Sequence, residues 1–245
     1  MPDIRDLNCG KIHWKYDATI FPDIRTDYFG ASYWESLNKI IGQESGRGTT
    51  YFIEHSNGSE KYDLVLRHYL RGGLMSKLSK DNYLFKNLDN CRSISEFDIL
   101  LELNNRSLPV PRPIAAQVRR LRLSYQADLI TQKIPNAHDL VQTLKKPQSD
   151  SFYQEMGKTI ASFHLAGVFH ADLNIQNILY DENKKFWLID FDKAKFLKPH
   201  LNWQQKNLDR LKRSFEKEVR RHHIHWKTKN WDTLEQSYRS SISAN

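Results

Sequence analysis

The sequence HADLNIQN at residues 170–177, followed by LIDFD at residues 188–192, decides the fold of this chain. Two short apolar runs flank the turn DENKK between these stretches and predict a β-hairpin. Asn177 lies five residues after Asp172, and Asp190 lies thirteen residues after Asn177. The hairpin is expected to fold Asp190 back beside Asn177, so that both side chains can reach one metal ion.

This set of two carboxylates and one amide suits phosphoryl transfer. A carboxylate must orient the acceptor hydroxyl, and the triphosphate must be held by magnesium, which prefers hard oxygen ligands. We therefore predict Asp172 as the catalytic base and Asn177 and Asp190 as Mg2+ ligands, with ATP as the phosphate donor. The order and spacing resemble the H-R-D-x-x-x-x-N and D-F-G motifs of protein kinases. Any single residue could merely cap a turn, but turn capping does not explain the ordered set.

A glycine-rich segment lies far upstream of this loop. In GQESGRGTTYFIEH, we expect Gly42, Gly46 and Gly48 in one loop, followed by a strand over 49–53 and a partner strand over 61–69. Glycine has no side chain to keep backbone N–H groups away from phosphate, so this loop is a candidate cover for the triphosphate. The glycine spacing alone is weak, since an ordinary flexible turn shows the same pattern.

A cation on the second of these strands extends the predicted ATP site. Protein kinases place a lysine there, which holds the α- and β-phosphates and pairs with a helix glutamate. In this sequence the matching residue is Arg67, at the end of LVLR, whose guanidinium can bind phosphate in a bidentate manner. Glu96 is the candidate partner and Glu102 is its competitor, although both could be ordinary surface acids.

The remaining patterns divide the chain near Ile134 into a strand-rich part and a helix-rich part. We predict an α+β, protein-kinase-like bilobal fold. Residues 1–134 would form a nucleotide-binding lobe with an antiparallel sheet and one helix, and residues 135–245 a mainly helical catalytic lobe with a basic helical tail. The supporting elements are a short helix over 33–41, a helix over 93–104 capped by Ser95, strands over 114–118 and 123–134, a helix over 152–165 and helical sequence after Pro199.

Composition limits the classes of protein that fit. Lys and Arg outnumber Asp and Glu by 37 to 29, which suits nucleic acid, an anionic membrane or phosphorylated substrates. The two cysteines form no CxxC pattern, which favours a reducing compartment. The first residues do not resemble a secretory signal, and no apolar run approaches the roughly 20 residues that span a bilayer. We expect a cytoplasmic protein that can rest on a membrane.

Five blocks of sequence cover most of residues 40–200: GRGTTYFIE, LVLRHYLRGGLMSKL, SEFDILLEL with LPVPRPIAA, YQADLITQKIP and HADLNIQNILYDENKKFWLIDFDKAKF. Together they resemble the 3-deoxy-D-manno-octulosonic acid (Kdo) kinases of Gram-negative bacteria, within the lipopolysaccharide kinase group. The chain departs from protein kinases at Asp192, which stands where D-F-G has glycine. No A-P-E motif follows in the last 53 residues, which favours a small-molecule or glycolipid acceptor.

The resemblance implies ATP-dependent phosphorylation of a Kdo hydroxyl, with the 4-hydroxyl favoured, on a Kdo–lipid A precursor in lipopolysaccharide core synthesis. It also implies a peripheral enzyme at the cytoplasmic face of the inner membrane. The expected partners are therefore the glycolipid substrate and the anionic inner-membrane surface. Neither nucleic acid nor an obligate protein partner is expected.

The charge distribution agrees with an anionic acceptor. Residues 198–231 hold ten Lys or Arg and three Asp or Glu, a local charge of +7. This tail is predicted to bind anionic lipid and the phosphates of lipid A. Alternatively, its apolar face packs on the rest of the protein and its charges are only solvated, and both can hold together. The apolar face is Leu208, Leu211, Phe215 and Val219, with Trp203, Trp226 and Trp231 nearby.

Other functions remain open from sequence alone. A heptose kinase of the same group would use the same site on another sugar. A soluble small-molecule kinase, such as an aminoglycoside phosphotransferase, shows the same loop but usually binds a cationic acceptor with acidic residues. A basic nucleic-acid-binding module would explain the charge but not the ordered Asp–Asn–Asp set. A pseudokinase is suggested by Arg67 and Asp192, although the base and both metal ligands are present.

Overall fold

The structure is a computed structural model that describes residues 2–45, 48–71 and 81–244. The chain forms two compact units. The N-terminal unit comprises Met1–Glu102 and Pro111–Lys133, and the C-terminal unit comprises Leu103–Val110 and Ile134–Asn245.

An antiparallel sheet of eight described strands dominates the N-terminal unit. Its strand order is β1-β2-β7-β8-β5-β4-β3, and β6 pairs with β8. Apolar side chains alternate with polar ones along several strands and meet in one buried cluster that includes Trp14, Ile53, Leu64 and Ile130. The strands are β1 Ile4–Cys9, β2 Ile12–Asp17, β3 Ile40–Ser45, β4 Thr49–Asn57, β5 Glu60–His68, β6 Tyr83–Leu84, β7 Pro113–Arg120 and β8 Ser124–Gln132.

Among the described residues, two α-helices accompany this sheet, α1 (Ala31–Ser36) and α2 (Arg92–Asn105). The predicted helix over 93–104 and the predicted strands over 49–53, 61–69, 114–118 and 123–134 are confirmed to within a few residues. Ser95, however, does not cap α2. It lies inside the helix, where its backbone N–H donates to the carbonyl of Cys91.

The predicted helix over 33–41 is confirmed only for its first residues. Helix α1 ends at Ser36, and Ile40 begins strand β3. Trp34 is buried as expected, but Leu37 and Ile41 are about half exposed and form no apolar helix face with it. Asn38 adopts a positive φ of 54°, a conformation that interrupts a right-handed helix.

The first strands, β1 and β2, were not predicted at all. They pair as an antiparallel hairpin, and β2 then pairs with β7. Strand β1 is mostly exposed, and β2 buries polar residues beside apolar ones, so neither shows a clear alternation of apolar and polar residues. The buried polar residue Asp17 is satisfied by Arg112, which lies far along the chain.

Helices dominate the C-terminal unit, as predicted. They are α3 Leu140–Thr143, α4 Asp150–Leu165, α5 Leu201–His222 and α6 Thr228–Ser243. Five short strands join them, β9 His138–Asp139, β10 Val168–Phe169, β11 Ile178–Tyr180, β12 Phe186–Leu188 and β13 Lys195–Phe196. Helices α4 and α6 pack closely at Gly157, where a Cβ atom would lie 2.4 Å from the carbonyl oxygen of Leu234.

The predicted apolar face of the tail is confirmed on α5. Leu208, Leu211 and Phe215 are buried, and Val219 is partly buried. The tryptophans belong to this packing as well, because Trp231 is buried and Trp226 stacks on Phe215 with ring centroids 5.4 Å apart. None of the helices in the described part of the chain is both long enough and apolar enough to cross a membrane.

Candidate active site

The loop between β10 and β11 is shaped by its own asparagines. The side-chain oxygen of Asn174 accepts hydrogen bonds from the backbone N–H groups of Gln176 (2.9 Å) and Asn177 (3.3 Å), and so caps the 3-10 turn Ile175–Asn177. The amide nitrogens of Asn174 and Asn177 both donate to the carbonyl oxygen of Asp172, each at 2.9 Å. The loop therefore closes around the backbone of Asp172, while the carboxylate of Asp172 stays partly exposed.

His170 braces the loop from inside. Its Nδ1 accepts a hydrogen bond from the backbone N–H of Asp172 at 3.2 Å, and its Nε2 lies 3.0 Å from the carbonyl oxygen of Ile189. Burial lowers the pKa of His170, so the ring is neutral at physiological pH. These two partners require a proton on Nε2 and none on Nδ1. The neutral ring therefore links Asp172 to the residue that precedes Asp190.

The hairpin places Asp190 next to the loop. Ile178 pairs with Leu188 across β11 and β12, and the N–H of Ile189 donates to the carbonyl of Asn177 at 3.0 Å. Asp190 has a φ of 61°, in the left-handed region that residues other than glycine seldom adopt. Such strain is retained where surrounding structure enforces it, often at functional sites. The next side chain, Phe191, is buried and packs on the His170 ring at 4.9 Å.

Helix α5 holds the same loop from outside. The amide of Asn207 accepts from the N–H of His170 (3.2 Å) and donates to its carbonyl (3.1 Å), both buried. One turn later, Arg210 forms an ion pair with the carboxylate of Asp172. A further turn on, Ser214 Oγ accepts from the N–H of Ile175 at 3.1 Å. Spacings of three and four residues place these side chains along one stripe of α5.

The sequence did not reveal these α5 contacts. Arg210 was assigned to the basic tail, and Asn207 and Ser214 were not singled out. Asn207 directly precedes the apolar position Leu208 on the buried side of the helix, and a polar residue there usually has a specific partner. The position of Asn207 was the only signal of this contact in the sequence, and it did not indicate that His170 is the partner.

The predicted cation of the N-terminal unit also has a defined environment. Arg67 Nη2 lies 2.5 Å from Glu96 Oε2 and 3.0 Å from the hydroxyl of Tyr69, and its guanidinium covers the Tyr69 ring at 4.7 Å. Glu96 is only 3% exposed. Burial, together with the charge of Glu96, raises the pKa of Tyr69 well above its usual value, so the phenol keeps its proton and donates it to Glu96. The structure thus brings Arg67 and Glu96 together.

The three glycines do not share one loop as predicted. Gly42 lies in strand β3 at an irregularity in the pairing with β4. A Cβ atom there would lie 3.1 Å from the ring of Phe52. Gly48 directly precedes β4, and a Cβ atom there would lie 2.6 Å from Leu70. Gly46 lies outside the described residues. Close packing accounts for the absence of a side chain at Gly42, and a role in nucleotide binding stays a prediction.

Asn177 and Asp190 together offer a set of oxygen donors that fits a magnesium ion. In the parts of the chain that the structure describes, no group of three or more His, Cys, Asp or Glu side chains is placed to hold a metal. Asn177 and Asp190 offer two oxygen ligands, and magnesium commonly takes one or two protein ligands and completes its shell with water and substrate phosphates. The amide nitrogen of Asn177 is already bonded to Asp172, which leaves its amide oxygen as the ligand atom.

Comparison with known proteins shows that this chain belongs to the kinases. A family model described as "Lipopolysaccharide kinase (Kdo/WaaP) family" matches residues 31–238. The chain therefore belongs to the lipopolysaccharide kinase (Kdo/WaaP) family, and the resemblance noted in the sequence blocks is confirmed.

Several curated relatives carry one name. The chain is 48% identical to a 3-deoxy-D-manno-octulosonic acid kinase of Vibrio parahaemolyticus, over 88% of this chain and 87% of that protein. It is 44% identical to the protein of that name in Vibrio cholerae, over 84% of this chain and 86% of that protein. A Haemophilus influenzae protein of the same name is 42% identical over 85% of this chain and 87% of its own length. These relationships favour an enzyme over a basic nucleic-acid-binding module.

Proposed function

We propose that this chain is an ATP-dependent kinase that phosphorylates a hydroxyl of Kdo, with the 4-hydroxyl favoured, on a Kdo–lipid A precursor. The observation that carries the proposal is the single braced loop that presents Asp172 and Asn177 and is joined through Ile189 to Asp190. The names of its relatives support the choice of sugar acid. The test is incubation of the pure protein with labelled ATP and Kdo-lipid, heptose-lipid and peptide acceptors. Label on the Kdo-lipid alone is expected, and label on heptose or peptide alone would contradict the proposal.

Asp172 performs the proton transfer. Its carboxylate accepts a hydrogen bond from the acceptor hydroxyl and orients that oxygen towards the γ-phosphorus of ATP. As the new oxygen–phosphorus bond forms, the bond from the γ-phosphorus to the bridging oxygen breaks and ADP leaves. The hydroxyl proton passes late to the Asp172 carboxylate. The bonds from Asn174 and Asn177 to the Asp172 backbone keep this carboxylate in place.

Asn177, through its amide oxygen, and Asp190, through its carboxylate, would hold Mg2+. When bound, the ion neutralises charge on the β- and γ-phosphates. The left-handed conformation of Asp190 sets the direction in which its carboxylate leaves the backbone.

The N-terminal unit is proposed to bind the rest of the nucleotide. Arg67 would contact the α- and β-phosphates, with Glu96 holding its guanidinium, and the backbone around Gly42, Gly46 and Gly48 would approach the phosphates. Residues 1–134 would then be the nucleotide-binding lobe and residues 135–245 the catalytic lobe of a protein-kinase-like bilobal fold. The sheet of the first unit and the helices of the second support this proposal.

Replacing Arg67 with alanine is expected to raise the KM for ATP strongly, because the phosphates lose their cation. The same change removes one ion-pair partner from the buried carboxylate of Glu96, so the free energy of unfolding should fall as well. Arg67→Lys is expected to retain much of the activity, because an ammonium fills this role in related kinases. Steady-state kinetics over a range of ATP concentrations, with thermal melts in parallel, separate the two effects.

Arg119→Ala is the matched control, because Arg119 is an exposed arginine on β7 of the same sheet. Its KM for ATP and its melting temperature should both stay near the wild-type values. An Arg67→Ala enzyme with an unaltered dependence on ATP would show that another cation grips the phosphates.

The outer side of α5 is proposed to dock the enzyme on the inner membrane. Arg213, Lys217, Arg220 and Arg221 are exposed on this helix. Lys217 and Arg221 also lie 3.6 and 3.7 Å from the buried carboxylate of Glu218, so part of their charge is compensated. Each basic residue near an anionic surface contributes on the order of 1 kcal/mol, within a Debye length. We call these four residues the docking quartet. Trp231 is buried, so its ring is not available to the headgroup layer of a membrane.

Neutralising the docking quartet to glutamine is expected to weaken binding to anionic vesicles. The wild-type protein should sediment with phosphatidylglycerol-containing vesicles at low salt and be released at high salt, because screening shortens the range of the attraction. Catalysis on lipid-bound acceptor should fall much more than catalysis on a short, water-soluble Kdo acceptor.

A control with four exposed basic residues of the N-terminal unit changed to glutamine should sediment like the wild type. The four are Lys11, Lys61, Arg119 and Arg122. Equal losses of activity on both acceptors in the quartet variant would place these residues in the fold or the active site, and membrane docking through α5 would have to be abandoned.

A further inference from the structure

Arg210 stands apart from the other basic residues of α5 because it reaches the catalytic loop. Its Nη2 pairs with Oδ1 of Asp172, the proposed base. The side chains of Arg210 and Asp172 are 48% and 36% exposed, so both are accessible to a molecule from solvent.

Stability does not account for this ion pair. Exposed pairs of this kind contribute at most about 1 kcal/mol, so the fold would lose little without it. The loop is fixed independently by buried or backbone-directed contacts from the same helix, through Asn207 and Ser214. A cation held beside the proposed base therefore calls for an explanation in terms of the substrate.

The charge of the acceptor supplies that explanation. An octulosonic acid carries a carboxylate at physiological pH, and the loop it must approach presents the carboxylate of Asp172. Like charges brought together at a binding site oppose association. A guanidinium next to Asp172 offsets this repulsion. It can also bind the incoming carboxylate, since a guanidinium has five N–H donors in a planar fork.

The ion pair with Asp172 leaves N–H donors of Arg210 available for a contact with the acceptor carboxylate. Within the described part of the chain, the ion pair with Asp172 is the only hydrogen bond or salt bridge of the Arg210 side chain, and it engages one of the three guanidinium nitrogens. The helix is anchored on either side of Arg210 by the bonds of Asn207 and Ser214 to the loop. Arg210 therefore starts from a backbone position that is fixed with respect to Asp172.

We propose that Arg210 is a specificity residue that binds the carboxylate of the sugar acid while the acceptor hydroxyl meets Asp172. This inference rests on the proposed Kdo kinase activity and adds the group that distinguishes an acidic sugar from a neutral one. The acceptor carboxylate uses guanidinium donors that Asp172 leaves unused. Recognition of the acid and placement of the hydroxyl then depend on two side chains in direct contact.

The test compares two soluble acceptors and three enzymes. The acceptors are a short Kdo glycoside and the same glycoside with its carboxyl group reduced to an alcohol. The wild type should lose about 10- to 100-fold in kcat/KM on the reduced acceptor, the range expected for one charge-assisted contact. Arg210→Gln should lose a similar factor on the acid. On the reduced acceptor, the variant should match the wild type within about twofold, the scatter of independent effects.

Arg210→Lys keeps the charge but loses the planar fork, so it should recover part of the activity that Arg210→Gln loses on the acid, and its activity on the reduced acceptor should stay at the wild-type level. Lys206→Gln is the matched control, because Lys206 is an exposed cation one turn earlier on α5. It should behave as the wild type on both acceptors. Melting temperatures of all variants should agree within a few degrees, which excludes misfolding as the cause.

Two results would overturn the inference. If Arg210→Gln lost the same factor on both acceptors, Arg210 would only position Asp172. If the wild type did not distinguish the acceptors, the carboxylate would not be recognised, although the Kdo kinase activity itself would stand. Absence of phosphorylation of either glycoside and of the Kdo-lipid by the wild type would instead refute the proposed function, and the inference would fall with it.

Discussion

Asp172→Asn is expected to abolish most phosphoryl transfer while the protein still folds and binds nucleotide. The amide cannot accept the hydroxyl proton, and loss of a general base typically costs roughly 100- to 10,000-fold in kcat. The backbone of Asp172 keeps its bonds to Asn174, Asn177 and His170, none of which involves the changed carboxylate. The measurement is single-turnover transfer from labelled ATP to the Kdo acceptor, with nucleotide binding determined on the same samples.

Asp232→Asn serves as the control, because it removes an exposed carboxylate from α6 without a change near the loop. It should transfer phosphate at the wild-type rate. Near wild-type turnover in Asp172→Asn would show that another group takes the proton, and failure of nucleotide binding in that variant would place Asp172 in the metal site.

Asp190→Asn is expected to weaken magnesium-dependent ATP binding by about 10- to 100-fold, because it removes a full negative charge from the cation. Asparagine is the sharper choice than alanine, because it also tolerates the left-handed conformation that Asp190 adopts. Asn177→Ala should weaken binding less, since it removes a neutral ligand. Calorimetric titration of ATP with and without Mg2+ isolates the metal-dependent part of the affinity.

Glu182→Gln provides a control within the same hairpin. Glu182 is an exposed carboxylate in the turn between β11 and β12, and its Oε1 accepts from Asn136, a contact that glutamine can keep. Its titration should match the wild type with and without Mg2+. If the magnesium effect were unchanged in both Asp190→Asn and Asn177→Ala, the proposed metal site would be wrong.

The sequence revealed those parts of the fold and candidate site whose causes are local. The hairpin that returns Ile189 to Asn177 follows from two apolar runs around a polar turn, so it could be recognised in a single stretch. The strands β4 and β5 and the helix α2 were likewise visible in their residue patterns. Glu96 was named as the partner of Arg67 by analogy with kinases, and the two lie in contact.

The sequence did not reveal features whose causes are distant. The β1–β2 hairpin is a weak pattern that is stabilised by pairing with β7, about a hundred residues later. Gly42 was assigned to a phosphate loop, but it lies in a strand against Phe52, a contact visible only after β3 and β4 pair. Arg210 looked like one more charge in a basic tail, because nothing local indicates that it reaches Asp172.

The stripe of α5 that contacts the loop also sets the earliest moment at which the loop can be fully braced during synthesis. Its bonds join residues 37 to 39 positions apart, from His170 to Asn207, from Asp172 to Arg210 and from Ile175 to Ser214. A growing chain therefore lacks all three until translation has passed Ser214 and the helix has docked. At about 5–20 residues per second this delay lasts several seconds. Every residue of the proposed catalytic set has by then been made, so in a nascent chain the loop stays without these contacts until α5 has been synthesised and has docked.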